Sequence, residues 1–81
     1  MKYIATVYSH FQAMQTKKIL DQHGINTKLS PVPRALSSSC GTCVLYESNE
    51  MFPESTIPKG IELIAKQIDN DKYDILYKAG N

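Results

Sequence analysis

The run KYIATVY, Lys2 to Tyr8, sets apolar side chains on both faces of any extended chain it forms. β-Branched and aromatic residues dominate it, so it reads as a strand. A strand with two apolar faces has to be covered on both sides or paired in an oligomer. The chain has 81 residues, which is room for one compact core. Residues 1–81 are therefore expected to fold as a single domain around that strand.

The rest of the chain alternates between the two secondary-structure periods. Ser9 and Gln12 have the spacing of a capping box, which starts a helix running to about His23. Its inward face is expected to be Ala13, Met14, Leu20 and the aliphatic stem of Lys17. Gly24 is the expected stop, in the left-handed conformation that glycine tolerates. Ile25 to Val32 reads as a second strand, with Pro31 and Pro33 near its end removing ladder donors as at an edge or an exit. Ala35 to Gly41 is a loop of mostly small residues, Cys43 to Glu47 a short third strand, and Ser48 to Thr56 a polar loop containing Pro53. Pro58 favours a helix start. Ile57, Ile61, Ile64, Ala65 and Ile68 then fall at i, i+4, i+7, i+8 and i+11, one face of a second helix. Tyr73 to Tyr77 closes the chain as a strand. The resulting order is βαββαβ in an α+β fold. Its expected architecture is ferredoxin-like, with two helices packed on one face of a four-stranded, mostly antiparallel sheet.

Charge excludes some partners. Nine basic and eight acidic residues leave a net charge of +1, which gives no electrostatic reason to expect nucleic acid or an anionic membrane. No apolar run approaches the ~20 residues that span a bilayer. The start MKYIATVYSH lacks the pattern of a signal peptide. The expectation is a cytoplasmic protein whose two cysteines rest as thiols. Two-faced apolar strands and an exposed sheet edge leave a homodimer open.

Both cysteines lie in PRALSSSCGTC, Pro33 to Cys43. A thiolate is the reactive form of cysteine and needs local stabilisation of negative charge. Ser37, Ser38, Ser39, Cys40 and Gly41 are consecutive small residues whose backbone N–H groups can turn inward as an anion-holding nest. Gly41 permits a positive φ beside Cys40, and Arg34 brings a permanent charge within reach. Such surroundings would suit a thiolate at Cys40, or a bound persulfide or selenide anion. Cys43 is close enough in sequence to attack a derivatised Cys40, as C-x-x-C pairs do. Equally, free cysteines are commonly small buried residues, and serine-rich loops make good turns.

The helix opening YSHFQAM, the turn HGI and above all PVPRALSSSCGTC resemble the DUF3343 family, whose members are described as selenium/sulfur carrier proteins. The likeness spans roughly the first 50 residues, and its core is P-x-P-R-x-x-S-S-S-C-G. It implies a small bacterial cytoplasmic domain tied to selenium or sulfur metabolism, with a cysteine that carries the chalcogen. On this chain the matching positions are Pro33, Arg34, Ser38, Ser39, Cys40 and Gly41. Cys43 stands where the family often has an apolar residue, so it is either a resolving thiol or a strand residue facing the core. The implied function is carriage of sulfur or selenium on Cys40 between donor and acceptor proteins, as an accessory protein rather than an enzyme with its own turnover, and without a cofactor.

Other readings compete. A non-catalytic interaction module would use SSSCGTC as a shaped turn. Zinc wants four N/S ligands, and Cys40 with Cys43 supply half a site that a dimer could complete; a small thiol-redox or metal-binding C-x-x-C domain is thus a further alternative, although no metal is expected. A thioredoxin-like motif would place C-x-x-C at a helix N-terminus, whereas here it precedes the strand-like CVLYE. His10 reaches the loop only if strand ends converge, and His23 fits the last turn of the helix. Tyr3, Tyr8, Tyr46, Tyr73 and Tyr77 lie on expected strands but lack the basic stripe of an RNA-binding sheet. The carboxylates show no pairing that suggests acid–base catalysis.

Overall fold

The computed structural model describes residues 1–36, 38–53 and 56–80. Strand β1 (Lys2–Val7) leads into helix α1 (His10–Gln22). Four strands follow, β2 (Thr27–Pro31), β3 (Thr42–Glu47), β4 (Ile61–Asp69) and β5 (Lys72–Lys78). The class is α+β. The sheet order is β2-β3-β1-β4-β5, and every neighbouring pair is antiparallel. The run KYIATVY supplies the central strand, buried from Tyr3 through Val7. Tyr3, Ala5 and Val7 join the main core, together with Ala13 and Leu20 of α1, Val44 and Tyr46 of β3, and Ile61 and Ile64 of β4. Ile4 and Thr6 point to the other face and are also buried, as two-faced apolarity requires.

Helix α1 starts and stops where its sequence dictates. Ser9 is extended at φ −148°, and its Oγ accepts the Gln12 N–H at 3.2 Å. The Ser9 hydroxyl in turn donates to Gln12 Oε1 at 3.1 Å. Gly24 ends the helix at φ 74°, a conformation that costs other residues a clash with their own Cβ. The inward face is Ala13, Thr16 and Leu20. Met14 is 55% exposed, which corrects the expectation that it faces the core. Thr16 takes that place because its hydroxyl donates to the Gln12 carbonyl at 2.8 Å, so burial leaves no polar group unpaired. Lys17 stays at the surface, bonding Asp21 at 2.9 Å and Thr27 Oγ1 at 3.0 Å.

This Lys17–Asp21–Thr27 cluster ties the end of α1 to β2. The Thr27 hydroxyl and then the Lys17 ammonium hold the Asp21 carboxyl below its usual range. A carboxylate with a lowered folded-state pKa stabilises the fold above its unfolded value, and that contribution is lost as pH falls through the folded one. The expected result is a shallower acid limb in a plot of melting temperature against pH for Asp21→Asn than for wild type. Identical acid limbs would remove Asp21 from the account.

The second helix is corrected. Residues 61–69 form strand β4, and the predicted last strand is a fifth strand hairpinned to it across Asn70 and Asp71. Pro58 starts a turn, closed by the Ile61 N–H on the Pro58 carbonyl at 3.2 Å. The ferredoxin-like expectation of two helices over four strands therefore fails: among the described residues there is one helix and there are five strands. The physical reason lies in the pattern. Ile64 and Ala65 are adjacent, both buried, and paired with Ala5 and Ile4 of the central strand. A segment buried on both faces looks amphipathic at a period of 3.6 when its polar residues happen to fall between. The crossover from β3 to β4 instead covers the core with Phe52, assisted by Met51 and Ile57. The buried Tyr46 hydroxyl donates to the Met51 carbonyl, and burial raises that phenol's pKa.

Both outer strands are poor templates for a further strand. β2 has five residues and ends in Pro31, while β5 carries Lys72 and Lys78 and shifts register against β4. These are the usual devices that blunt a sheet edge. No helix among the described residues is long and apolar enough to cross a membrane.

Candidate functional site

The cysteine loop connects β2 to β3 and folds over the end of the central strand. The hairpin ladder runs one step past Pro31↔Thr42, with the Val32 N–H on the Gly41 carbonyl at 3.1 Å. Beyond it, the prolines stop further pairing. Pro33 to Leu36 make a turn, closed by Leu36 N–H to Pro33 O at 3.0 Å. Gly41 then returns the chain at φ 75°, as its place beside Cys40 predicts. Ser37 lies outside the described residues.

The loop finishes what the ladder leaves open. β1 pairs with β3 only as far as Thr6↔Cys43, and the Ile61 N–H is directed at Pro58. The carbonyl of the fully buried Val7 needs a donor from elsewhere. Ser38 Oγ donates to it at 3.2 Å and Cys40 Sγ at 3.4 Å. Cys40 Sγ also lies 3.5 Å from the Thr42 carbonyl oxygen. The Cys40 sulfur is half-buried against the core and faces two carbonyl oxygens. Among the described residues no amide or hydroxyl donates to it. Both contacts are to oxygens that accept from the thiol S–H.

The two donors of Ser39 are taken by a carboxylate. Ser39 gives its backbone N–H to Glu62 Oε1 at 3.2 Å and its hydroxyl to Glu62 Oε2 at 3.1 Å. Arg34 is exposed, and among the described residues its guanidinium forms no hydrogen bond or ion pair. The structure thus gathers Ser38, Ser39, Cys40 and Gly41 at the end of β1 and does not bring Arg34 onto the sulfur.

Cys43 is placed differently. It is the second residue of β3 and fully buried, with Sγ 3.7 Å from the Pro31 carbonyl oxygen. Burial, with a smaller contribution from Cys40, pushes its thiol up to about 11. A thiol that high is a slow nucleophile at neutral pH, which favours the strand-residue alternative over the resolving one. Both cysteines are free. Among the described residues no three His, Cys, Asp or Glu side chains are grouped as metal ligands. Tyr3 and Tyr46 stack on each other, centroids 5.4 Å apart, and are buried, so they offer no platform to a base.

Glu62 and the carbonyls of Val7 and Thr42 are the site groups that sequence reasoning misses. A carbonyl has no side-chain signature, and Glu62 reads as the polar side of a helix. The loop lies within a wider kinship. The family model described as "Putative Se/S carrier protein-like" matches residues 2–57, more than half of the chain and all of the cysteine loop. No curated protein and no solved structure matches the chain.

Proposed function

The chain belongs to the Se/S carrier protein-like family, and from that premise we propose that Cys40 is the residue on which sulfur or selenium is carried to a partner enzyme. The observation that carries this reading is the contrast between the two thiols. Cys40 is half-buried on a loop at the end of the central strand, and Cys43 is fully buried within the sheet. In the loading step the Cys40 thiolate attacks the outer sulfur of a donor persulfide. A new S–S bond forms, the donor's S–S bond breaks, and the donor departs as a thiolate with no net redox change. In delivery an acceptor nucleophile attacks the outer sulfur of loaded Cys40, and Cys40 leaves as the thiolate. A donor selenosulfide transfers selenium by the same steps.

The two carbonyl acceptors have a consequence for loading. A thiolate cannot donate to Val7 or Thr42, so Cys40 reacts from a conformation in which it has left them. A second reading, a shaped interaction turn, draws on the same engagement, because Ser38, Ser39 and Cys40 all bond within the protein. Incubation with a persulfide donor followed by intact mass separates the two. Carriage predicts a reductant-labile gain of about 32 Da per sulfur in wild type and Cys43→Ala, and none in Cys40→Ala. Absence of the adduct in wild type, or its persistence in Cys40→Ala, would falsify the assignment.

A further inference from the structure

Three consecutive loop residues grip two different strands. Ser38 and Cys40 donate to Val7 of β1, and Ser39 between them donates twice to Glu62 of β4. A carboxylate that accepts an N–H and an O–H together is a directional partner. Glu62 is also where β4 departs from regular pairing. Thr6 faces Leu63 and Val7 faces Ile61, so Glu62 is the extra residue of a β-bulge. Bulges re-aim a side chain out of the alternation of the strand. Here the bulge accompanies a carboxylate that reaches the loop. The Glu62 backbone is itself anchored, its carbonyl accepting the Ala79 N–H at 2.9 Å. Glu62 lies beyond the residues 2–57 that carry the family match.

We propose that Glu62 is a positioning residue for Cys40. Through Ser39 it fixes the loop to β4, which keeps the neighbouring thiol on its two carbonyl acceptors until it is released and presents the released sulfur to an approaching partner from one place. The proposal rests on the carrier reading only for its transfer consequence; its effect on the thiol is independent of that reading. Releasing the clamp lets Cys40 leave Val7 and Thr42 more often. A small electrophile then reacts faster, while transfer from a docked donor slows because the unclamped loop no longer presents the released sulfur from one place.

The test uses Glu62→Gln, which keeps the side-chain shape and removes the charge, with Ser39→Ala and the double variant. Iodoacetamide alkylation of Cys40 is followed by intact mass and peptide mapping, and melting temperature is recorded alongside. Glu62→Gln is expected to raise the alkylation rate about fivefold and to lower the rate of sulfur uptake from the persulfide donor. Ser39→Ala, which keeps its backbone bond to Glu62, should raise alkylation less, and adding it to Glu62→Gln should change little more, because the two residues act through one contact. Alkylation within about twofold of wild type in Glu62→Gln, or multiplying effects in the double variant, overturns the proposal. If alkylation responds and wild type takes up no sulfur, the carrier reading fails and the positioning role stands. Should Glu62→Gln not fold, amide exchange in wild type decides. Ser39 is an exposed residue whose N–H the clamp should protect by about tenfold or more, and exchange at the unprotected rate refutes the clamp.

Discussion

At neutral pH the native protein is expected to take up one equivalent of a small thiol reagent, at Cys40, and a second only on unfolding. Burial holds the Cys43 thiol up to about 11, so at pH 7 only about one molecule in ten thousand carries that thiolate. The reagent also has to reach a sulfur with no exposed surface. Cys40 has access and needs only to leave two carbonyls. The same burial has a stability consequence of definite sign. In the unfolded chain a cysteine loses its proton at about 8.5 to 9, whereas folded Cys43 keeps it to about 11. The folded state therefore binds the extra proton across that window, and stability falls as pH rises through it. Below pH 8 the full contribution is present. Each pH unit across the window is worth about 1.4 kcal/mol, so by pH 11 the loss approaches 3 kcal/mol. Urea unfolding at pH 8 and at pH 10.5, in wild type and in Cys43→Ala, isolates the effect, since other alkaline titrations are common to both. A wild-type loss about 2 kcal/mol larger than the variant's is expected. Equal losses, or rapid labelling of Cys43 in the native state, would show that the thiol is not sealed.

Where sequence logic works here, it relies on local, obligatory chemistry. Ser9 and Gly24 bound α1 because a helix start needs an acceptor for its free amides and its end favours a left-handed residue. The two apolar faces of Lys2–Val7 call for cover on both sides, and the strand is buried on both faces. The loop is legible as a functional candidate from its small residues, its prolines and the spacing of its thiols. The failures have a common cause as well. Met14 and Thr16 exchange places because apolarity by residue type ignores a hydroxyl that bonds its own helix. Residues 61–69 read as a helix because a strand covered on both faces loses the alternation that identifies it. That error hides Glu62, since a bulge and the partner it serves are properties of pairing. The sulfur's surroundings are hidden for a deeper reason: its acceptors are main-chain carbonyls, and their direction follows from where a ladder stops.

The absent second helix leads to the other large effect. The crossover between β3 and β4 has no regular secondary structure among its described residues, yet Tyr3 to Val7 of the central strand are buried. Phe52 supplies that cover, 5% exposed and packed into the same cluster as Leu20, Val7 and Ile61. The Tyr46 hydroxyl on the Met51 carbonyl fixes the chain one residue earlier. A single aromatic ring here does much of what the apolar stripe of a helix would do, and with fewer alternatives to replace it. Phe52→Ala is expected to cost about 3 to 5 kcal/mol, the usual loss for deleting a buried phenyl ring. At about 0.05 to 0.15 kcal/mol per residue, a chain of this length holds roughly 4 to 12 kcal/mol in all, so the variant loses from about a quarter of its stability to all of it. Phe52→Leu, which keeps most of the volume, should recover more than half of that loss. By contrast, Ile68→Ala should change stability by less than about 0.5 kcal/mol, because Ile68 is 57% exposed. A helix reading of residues 57–68 assigns the opposite order, with Ile68 in the buried stripe and Phe52 in a dispensable loop. Chemical denaturation of the three variants decides between them, and a Phe52→Ala protein as stable as wild type would return the covering role to some other part of the chain.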